Sequence, residues 1–161
     1  MKANTLRRIV NLWPPFLFSG IRATQLSPDY REAEVVLKQH WYNMNYVGVH
    51  FGGSLFAMTD AFYMLMLINV LGKGYYVWDR RACIDYLKPG RGTVTARFKI
   101  DDAMLAAILQ NTASGEKYFP EFTVEITDVQ GEVVAKVLKT LYVRRKPPKA
   151  APATEPGAAP H

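Results

Sequence analysis

Apolar and polar side chains alternate along much of the chain, and this period of two predicts a protein built mainly from β-strands. Residues 93–100 are typical, because apolar residues at the even positions alternate with hydroxyl and basic residues at the odd ones. Such a segment has one face suited to a core and one suited to solvent. The same pattern, bounded by turn residues, predicts strands over residues 21–26, 31–39, 75–87, 93–100, 118–128 and 132–145.

Three other segments have the spacing of helices. Residues 3–12 fit a short helix, and residues 103–111 follow an acidic pair that suits the positive end of a helix dipole. Residues 53–71 are apolar on nearly every side and stop at Gly-Lys-Gly, as a helix C-cap would. A helix of this kind must be surrounded by other elements. The expected fold is therefore α+β, a curved antiparallel sheet wrapped around one long central helix.

The length of 161 residues is that of a single domain with a substantial core. We expect a lead-in helix over residues 1–14 and one domain over residues 15–145. Residues 146–161 are rich in proline and alanine and contain no large apolar side chain. This segment predicts a disordered or polyproline-like tail.

The apolar segments also raise the question of export or membrane insertion. Arg7 and Arg8 precede an apolar run that imitates a secretory signal, but a proline pair interrupts it and no small-residue cleavage site follows. Residues 54–71 approach the length of a transmembrane helix. Asp60 and Asn69 count against that interpretation, since polar groups in a bilayer are costly. We therefore predict no transmembrane segment.

The single cysteine and the net charge limit the cellular locations and the binding partners that the sequence predicts. Cys83 is the only cysteine, so no intrachain disulfide can form and a reducing, cytoplasmic location is favoured. Because Cys83 lies in an alternating strand, we expect it to pack in the core. The net charge of +6 suits an anionic partner. The basic residues form scattered pairs rather than a stripe, so no nucleic-acid binding is predicted, and the three histidines show no metal-ligand spacing.

Two features of the apolar segment point to chemistry. Gly52 and Gly53 enter the helix, where free backbone N–H groups can approach a ligand closely and stabilise a developing oxyanion. Alternatively, the glycines only permit a tight turn. Asp60 places a carboxylate among apolar residues, where it could activate water or act as a nucleophile. Its structural alternative is a buried aspartate bonded to amides or to a neighbouring chain.

The spacing of these residues predicts an oligomer. Gly53 and Asp60 are two turns apart on a continuous helix, which separates them by about 10 Å along the axis. One copy therefore cannot direct both groups at one carbonyl. If they cooperate, an antiparallel helix of a second subunit must supply one of them, which predicts a twofold dimer with two equivalent sites.

The pattern Asn45-x6-Gly52-Gly53-x6-Asp60 resembles that of hot-dog-fold acyl-CoA thioesterases. The sequence around this motif, with Leu-Lys-Pro-Gly-Arg-Gly at residues 87–92, is similar to that of a bacterial, thioesterase-like branch of the same superfamily whose function is unknown. The resemblance covers roughly residues 15–145. It implies a hot-dog fold, hydrolysis of acyl-CoA or a related thioester, no cofactor beyond the coenzyme A of the substrate, and a homodimer or a dimer of dimers.

The resemblance also implies roles for particular residues. Asp60 would be the general base or nucleophile, the Gly52 and Gly53 amides would polarise the thioester carbonyl, and Asn45 would hold the thioester or the attacking water. In many relatives a histidine directly precedes the glycines. Here Phe51 has that place and His50 lies one residue earlier.

The remaining candidates would bind substrate. His50 and Phe51 lie beside the glycines, although His50 could equally make an ordinary loop hydrogen bond. Asp79 corresponds to a serine that orients water in some relatives, and a carboxylate there could replace that role or act on Asp60. Lys88 and Arg91 could hold the phosphates of coenzyme A or be solvated cations. Two further functions stay open, a non-catalytic acyl- or lipid-binding module and an acyl-thioester hydratase.

Overall fold

The computed structural model describes residues 1–147, so most of the segment predicted as a tail lies outside the described residues. The helices are α1 (Ala3–Leu12), α2 (Pro14–Ser19), α3 (Gly52–Ala57), α4 (Phe62–Leu71) and α5 (Asp102–Thr112), with a 3-10 turn at Gly72–Gly74. The strands are β1 (Ile21–Leu26), β2 (Glu32–Lys38), β3 (Tyr75–Tyr86), β4 (Thr93–Lys99), β5 (Lys117–Tyr118), β6 (Glu121–Thr127) and β7 (Val133–Arg145).

All strands join one antiparallel sheet in the order β1-β2-β4-β6-β7-β3, and the short β5 continues the line of β6 along β7. The helical segment after β2 packs on the sheet, which confirms the predicted α+β hot-dog architecture. Turn residues set the register, as in β6 and β7, where Gly131 adopts a left-handed conformation with φ of 83°. The sheet ends on one side at β1 and on the other at β3.

The central helical segment is interrupted, whereas the sequence predicted one uninterrupted helix over residues 53–71. Helix α3 ends at Ala57 and α4 begins at Phe62, with a turn between them. In this turn the Asp60 amide donates to the Ala57 carbonyl at 3.1 Å. This bond spans three residues, as in a 3-10 turn, whereas an α-helical bond spans four. Asp60 therefore lies in a break between two helices and not within a helix.

The core lies between the sheet and one side of α4. The Tyr63 ring stacks on Phe122, with centroids 4.2 Å apart, and meets Phe98 edge-on. Met66 and Leu67 are completely buried. The opposite side is open, because Ile68 is 41% exposed. The segment Gly52–Gly74 is long and apolar enough to cross a membrane, but a core helix passes the same test and 44% of its apolar window is buried here.

The N-terminal helices cover one end of the sheet. Helix α1 occupies the predicted residues and is tied to β1 through Asn11, whose side chain accepts from the Ala23 amide at 2.7 Å and donates to its carbonyl at 3.0 Å. Helix α2 was not predicted from the sequence. Pro14 lies at the first helical position, where a proline is tolerated, and α2 buries Phe16.

Both border strands of the sheet carry a β-bulge. In β1 the register shifts between Ala23 and Gln25, and in β3 it shifts between Asp79 and Arg81. The extra residue in β3 moves the inward-facing positions from odd to even numbers. Cys83 consequently points away from the core and is exposed, so the expected core packing of this cysteine is wrong.

Candidate functional site

A buried lysine joins the two aspartates that the sequence singled out. The Lys139 side chain is 0% exposed, and its Nζ lies 3.1 Å from Asp60 Oδ1 and 2.8 Å from Asp79 Oδ1. The same Nζ donates to the Asp60 backbone carbonyl. The Asp60 side chain is 59% exposed and that of Asp79 is 30% exposed. The two carboxylates are thus at the surface while the ammonium between them is enclosed.

The positions of the strands explain this cluster. Lys139 lies on β7 in phase with the buried Val137 and Leu141, so its side chain points into the fold. Asp79 is paired with Leu141 on the neighbouring strand, immediately before the bulge. Directly paired residues project to the same face of a sheet. The bulge therefore ends the inward run of β3 at Asp79, beside Lys139.

The helix entrance forms a separate cleft. A cavity of about 370 Å³ is lined by Asn45, His50, Gly52 and Lys88, together with Leu55 and Tyr86. The sequence predicted the first four of these as site residues, and the structure brings them together in one cleft. Asp60 and Asp79 do not line this cleft within one copy of the described chain.

Phe51 and Gly53 line a second cleft on the other side of the helix entrance. Its volume is about 360 Å³, and aromatic side chains from two other segments, Phe18 and Tyr42, complete the wall. Phe51 is more than half exposed. The entrance of α3 consequently separates two clefts of mixed lining. We call the first the polar cleft, after its Asn45, His50 and Lys88, and the second the aromatic cleft, after its Phe18, Tyr42 and Phe51.

A Cβ at either position of the helix entrance would displace the far end of an exposed aromatic side chain. A Cβ on Gly52 would lie 2.9 Å from the Tyr86 hydroxyl, which donates to the Gly52 carbonyl at 3.0 Å. A Cβ on Gly53 would lie 2.4 Å from the Phe51 ring. The amides of Gly52 and Gly53 have no hydrogen-bond acceptor among residues 1–147. These N–H groups are free to meet a ligand, as the orphan donors of a first helical turn are.

His50 is buried in the wall of the polar cleft, with 2% exposure. Its Nε2 lies 2.9 Å from the Gly92 carbonyl, which can only accept, so Nε2 carries the proton. Nδ1 is then a buried acceptor, and it has no partner within the described chain. Burial lowers the pKa of His50, against a smaller opposing effect of the Gly92 hydrogen bond. His50 is therefore a neutral imidazole fixed to a loop at pH 7.

The other candidates are engaged in local structure. Asn45 Oδ1 accepts from the amides of Val47 and Val49, at 3.1 and 3.2 Å, and so caps the loop before the helix. Lys88 pairs with Glu132, and this hydrogen bond raises the pKa of Lys88. Arg91 donates to the Gly48 carbonyl at 3.3 Å, next to the polar cleft.

The fold places this protein among the hot-dog-fold proteins. A protein of unknown function from Pseudomonas aeruginosa, named a probable thioesterase, has a similar structure with a TM-score of 0.79 at 19% identity, covering 91% of this chain and 97% of that one. A thioesterase from Haemophilus influenzae gives 0.66 at 17% identity, covering 90% and 92%. A protein of unknown function from Chlorobaculum tepidum gives 0.71 at 13% identity, covering 89% and 94%.

Residues 2–143 match the family described as a domain of unknown function, DUF4442, and the chain belongs to this family. A search of curated proteins finds no significant match. At identities below 25%, the structural likeness establishes the fold and leaves the activity to the residues of this chain.

Lys139 was missed from the sequence, although a signal was present. In residues 133–143 all the other odd positions are apolar, and Lys139 is the one charged residue in that phase. A lysine in the buried phase of a strand requires an anionic partner. That requirement could have pointed to Asp60, the carboxylate for which the sequence offered no partner.

Proposed function

We propose that this protein hydrolyses acyl thioesters, with acyl-CoA as the substrate and Asp60 as the general base or nucleophile. The observation that carries the proposal is the state of the Asp60 carboxylate. Lys139 holds one of its oxygens, whereas Oδ2 has no partner among the described residues and the side chain is largely exposed. Such a carboxylate can take a proton from water or attack a carbonyl carbon.

The thioester oxygen would be stabilised by the free amides of Gly52 and Gly53. Because Asp60 lines neither cleft at the helix entrance, we propose that a second copy of the chain supplies the amides. The border strand β3 supports this arrangement, since its 12 residues have a free edge on the side away from β7. Pairing of this edge with its copy across a twofold axis would make a homodimer with two equivalent sites.

The polar cleft is suited to the coenzyme A portion of the substrate. Lys88 and Asn45 line it, and Arg91 beside it brings positive charge for the phosphates. Lys88 would add to that charge when a phosphate replaces Glu132 as its partner. The aromatic cleft next to Gly53 is suited to the acyl chain. A cytoplasmic enzyme would meet acyl-CoA in its own compartment, which accords with the single cysteine.

The test is thiol release from a panel of acyl-CoA chain lengths. We expect turnover by the wild type and its loss in Asp60→Ala, with coenzyme A binding and circular dichroism unchanged. Glu116→Gln removes an exposed carboxylate far along the chain and should leave turnover intact. Wild-type protein without turnover but with acyl-CoA binding would indicate a binding module, and water addition to an enoyl-CoA without thiol release would indicate a hydratase.

Subunit complementation tests the shared site. Gly52→Pro removes one of the free amides, and the extended Phe51 before it is compatible with a following proline. Because its Cβ would also displace Tyr86, Gly52→Ala, which adds a Cβ but keeps the amide, is the matched control and should retain activity. Asp60→Ala and Gly52→Pro should each be inactive alone. When the two are coexpressed, mixed dimers contain one intact site, so about a quarter of wild-type activity should return. No recovery in a mixture shown to contain mixed dimers would contradict the two-subunit site.

A further inference from the structure

We propose that Lys139 is the positioning residue of the reaction, acting on Asp60 through both its main chain and its carboxylate. The inference rests on the proposed function, because it concerns the geometry of the same base or nucleophile. Lys139 does not need to touch substrate for this role. It determines where the reactive oxygen of Asp60 points.

The main-chain contact explains why the helix is interrupted at Asp60. In a continuous helix the Asp60 carbonyl would accept from the amide four residues later. Within the described chain that carbonyl accepts from no backbone amide, and Lys139 Nζ donates to it instead. An orphan carbonyl close to the core needs such a donor. Lys139 therefore stabilises the turn that brings Asp60 to the surface.

The side-chain contact selects one oxygen of the carboxylate. Lys139 Nζ lies 3.1 Å from Oδ1 and leaves Oδ2 directed away from the ammonium. Since an exposed aspartate otherwise samples several side-chain rotamers, this contact restricts Oδ2 to one orientation. A base held within a narrow range of positions avoids the entropic cost of ordering it during each reaction.

Asp79 completes the environment of the lysine. Its Oδ1 lies 2.8 Å from Nζ, so three oxygens surround the three N–H groups of the ammonium. The buried lysine is thereby saturated and cannot turn towards another acceptor. Two carboxylates and one ammonium leave the cluster with a formal charge of −1, which is the charge that the base or nucleophile needs.

A purely structural ion pair would contribute to folding without affecting the reaction, and kinetics distinguish the two roles. We expect Lys139→Met, which keeps the length of the side chain, to lower kcat about 100-fold, the order of loss that follows from misplacing a reacting group. KM should stay within about threefold, because the clefts proposed for the substrate lie at another part of each chain. Lys136→Met is the matched control, since Lys136 is an exposed lysine on the same strand.

Asp79→Asn provides a second variant if Lys139→Met does not fold. It leaves the contact between Lys139 and Asp60 in place but replaces the ion pair with Asp79 by a weaker neutral hydrogen bond, so the lysine is held less firmly and kcat should fall by about three- to tenfold with KM unchanged. A crystal structure of Lys139→Met adds a readout that is independent of turnover. We expect a continuous helix across residues 58–61, or a displaced Asp60 carboxylate.

Normal kcat in folded Lys139→Met and Asp79→Asn would overturn the inference, as would a Lys139→Met structure with Asp60 unmoved. Failure of the proposed function gives a different result, namely wild-type protein that hydrolyses no thioester. In that case Lys139 has no reaction to serve, and the inference fails together with the function.

Discussion

The charge balance around Lys139 gives a prediction that depends on neither substrate nor partner. The double substitution Asp60→Asn with Asp79→Asn removes both carboxylates and preserves side-chain size. It leaves a fully enclosed ammonium with only neutral oxygens around it. Because a buried charge without a counter-ion is expensive, the folded state should lose stability.

The size of this loss follows from the burial of the three groups. Breaking a buried ion pair by removing one partner costs about 3–5 kcal/mol. Both aspartates are partly exposed, at 59% and 30%, and asparagine oxygens still accept hydrogen bonds, so we expect about 2–4 kcal/mol for the double variant. Each single variant keeps one carboxylate on the lysine and should lose about 1–2 kcal/mol.

Adding Lys139→Met to the double variant reverses the effect. The methionine has similar length and carries no charge, so the triple variant should return to within about 1 kcal/mol of the wild type. The measurement is urea unfolding at pH 7 and at one protomer concentration, since association contributes to the stability of oligomers. A double variant as stable as the wild type, or a triple variant less stable than the double, would refute the reasoning.

Two further predictions concern residues outside this cluster. Because burial keeps the folded-state pKa of His50 below its unfolded value of 6.5, the unfolded chain binds a proton first as the pH falls; stability is therefore at its full value above about pH 6.5 and declines below it. His50→Gln should reduce that decline in unfolding experiments between pH 7.5 and pH 5.5, and the exposed His40→Gln should not. Asn11→Ala removes the two hydrogen bonds that Asn11 makes with Ala23 of β1 and should cost about 1–2 kcal/mol in urea unfolding. Asn4→Ala, which loses only an exposed contact, should cost much less. Equal losses of stability in the two variants would contradict the role of Asn11 in joining α1 to β1.

The sheet could be predicted from sequence because the alternation of apolar and polar residues along a strand shows which side chains are buried. The strands predicted over residues 21–26 and 93–100 differ from β1 and β4 by at most one residue at an end. Helix α1 and the hairpin of β6 and β7 were also predictable, since a periodic pattern and a glycine turn fix them locally.

The helix break and the bulge in β3 could not be predicted in the same way. Residues 54–71 contain no glycine or proline that would mark an interruption of the helix at Asp60. The break accompanies a contact with Lys139, which is 79 residues away in the chain. The bulge likewise depends on pairing with β7. The asparagine candidate and the first of the two glycines are close together in sequence and line one cleft, whereas the buried phase of Lys139 was a local signal but its pairing with Asp60 and Asp79 required tertiary structure.

The irregular borders of the sheet have a consequence for the behaviour of concentrated protein. A long flat border is a template on which further chains can add without limit, as in fibrils. Here the extra residue at Thr24 on one side and Arg80 on the other divides each border into shorter, twisted runs. The two bulges are therefore expected to hinder the addition of further chains along either border and to count against growth into ribbons.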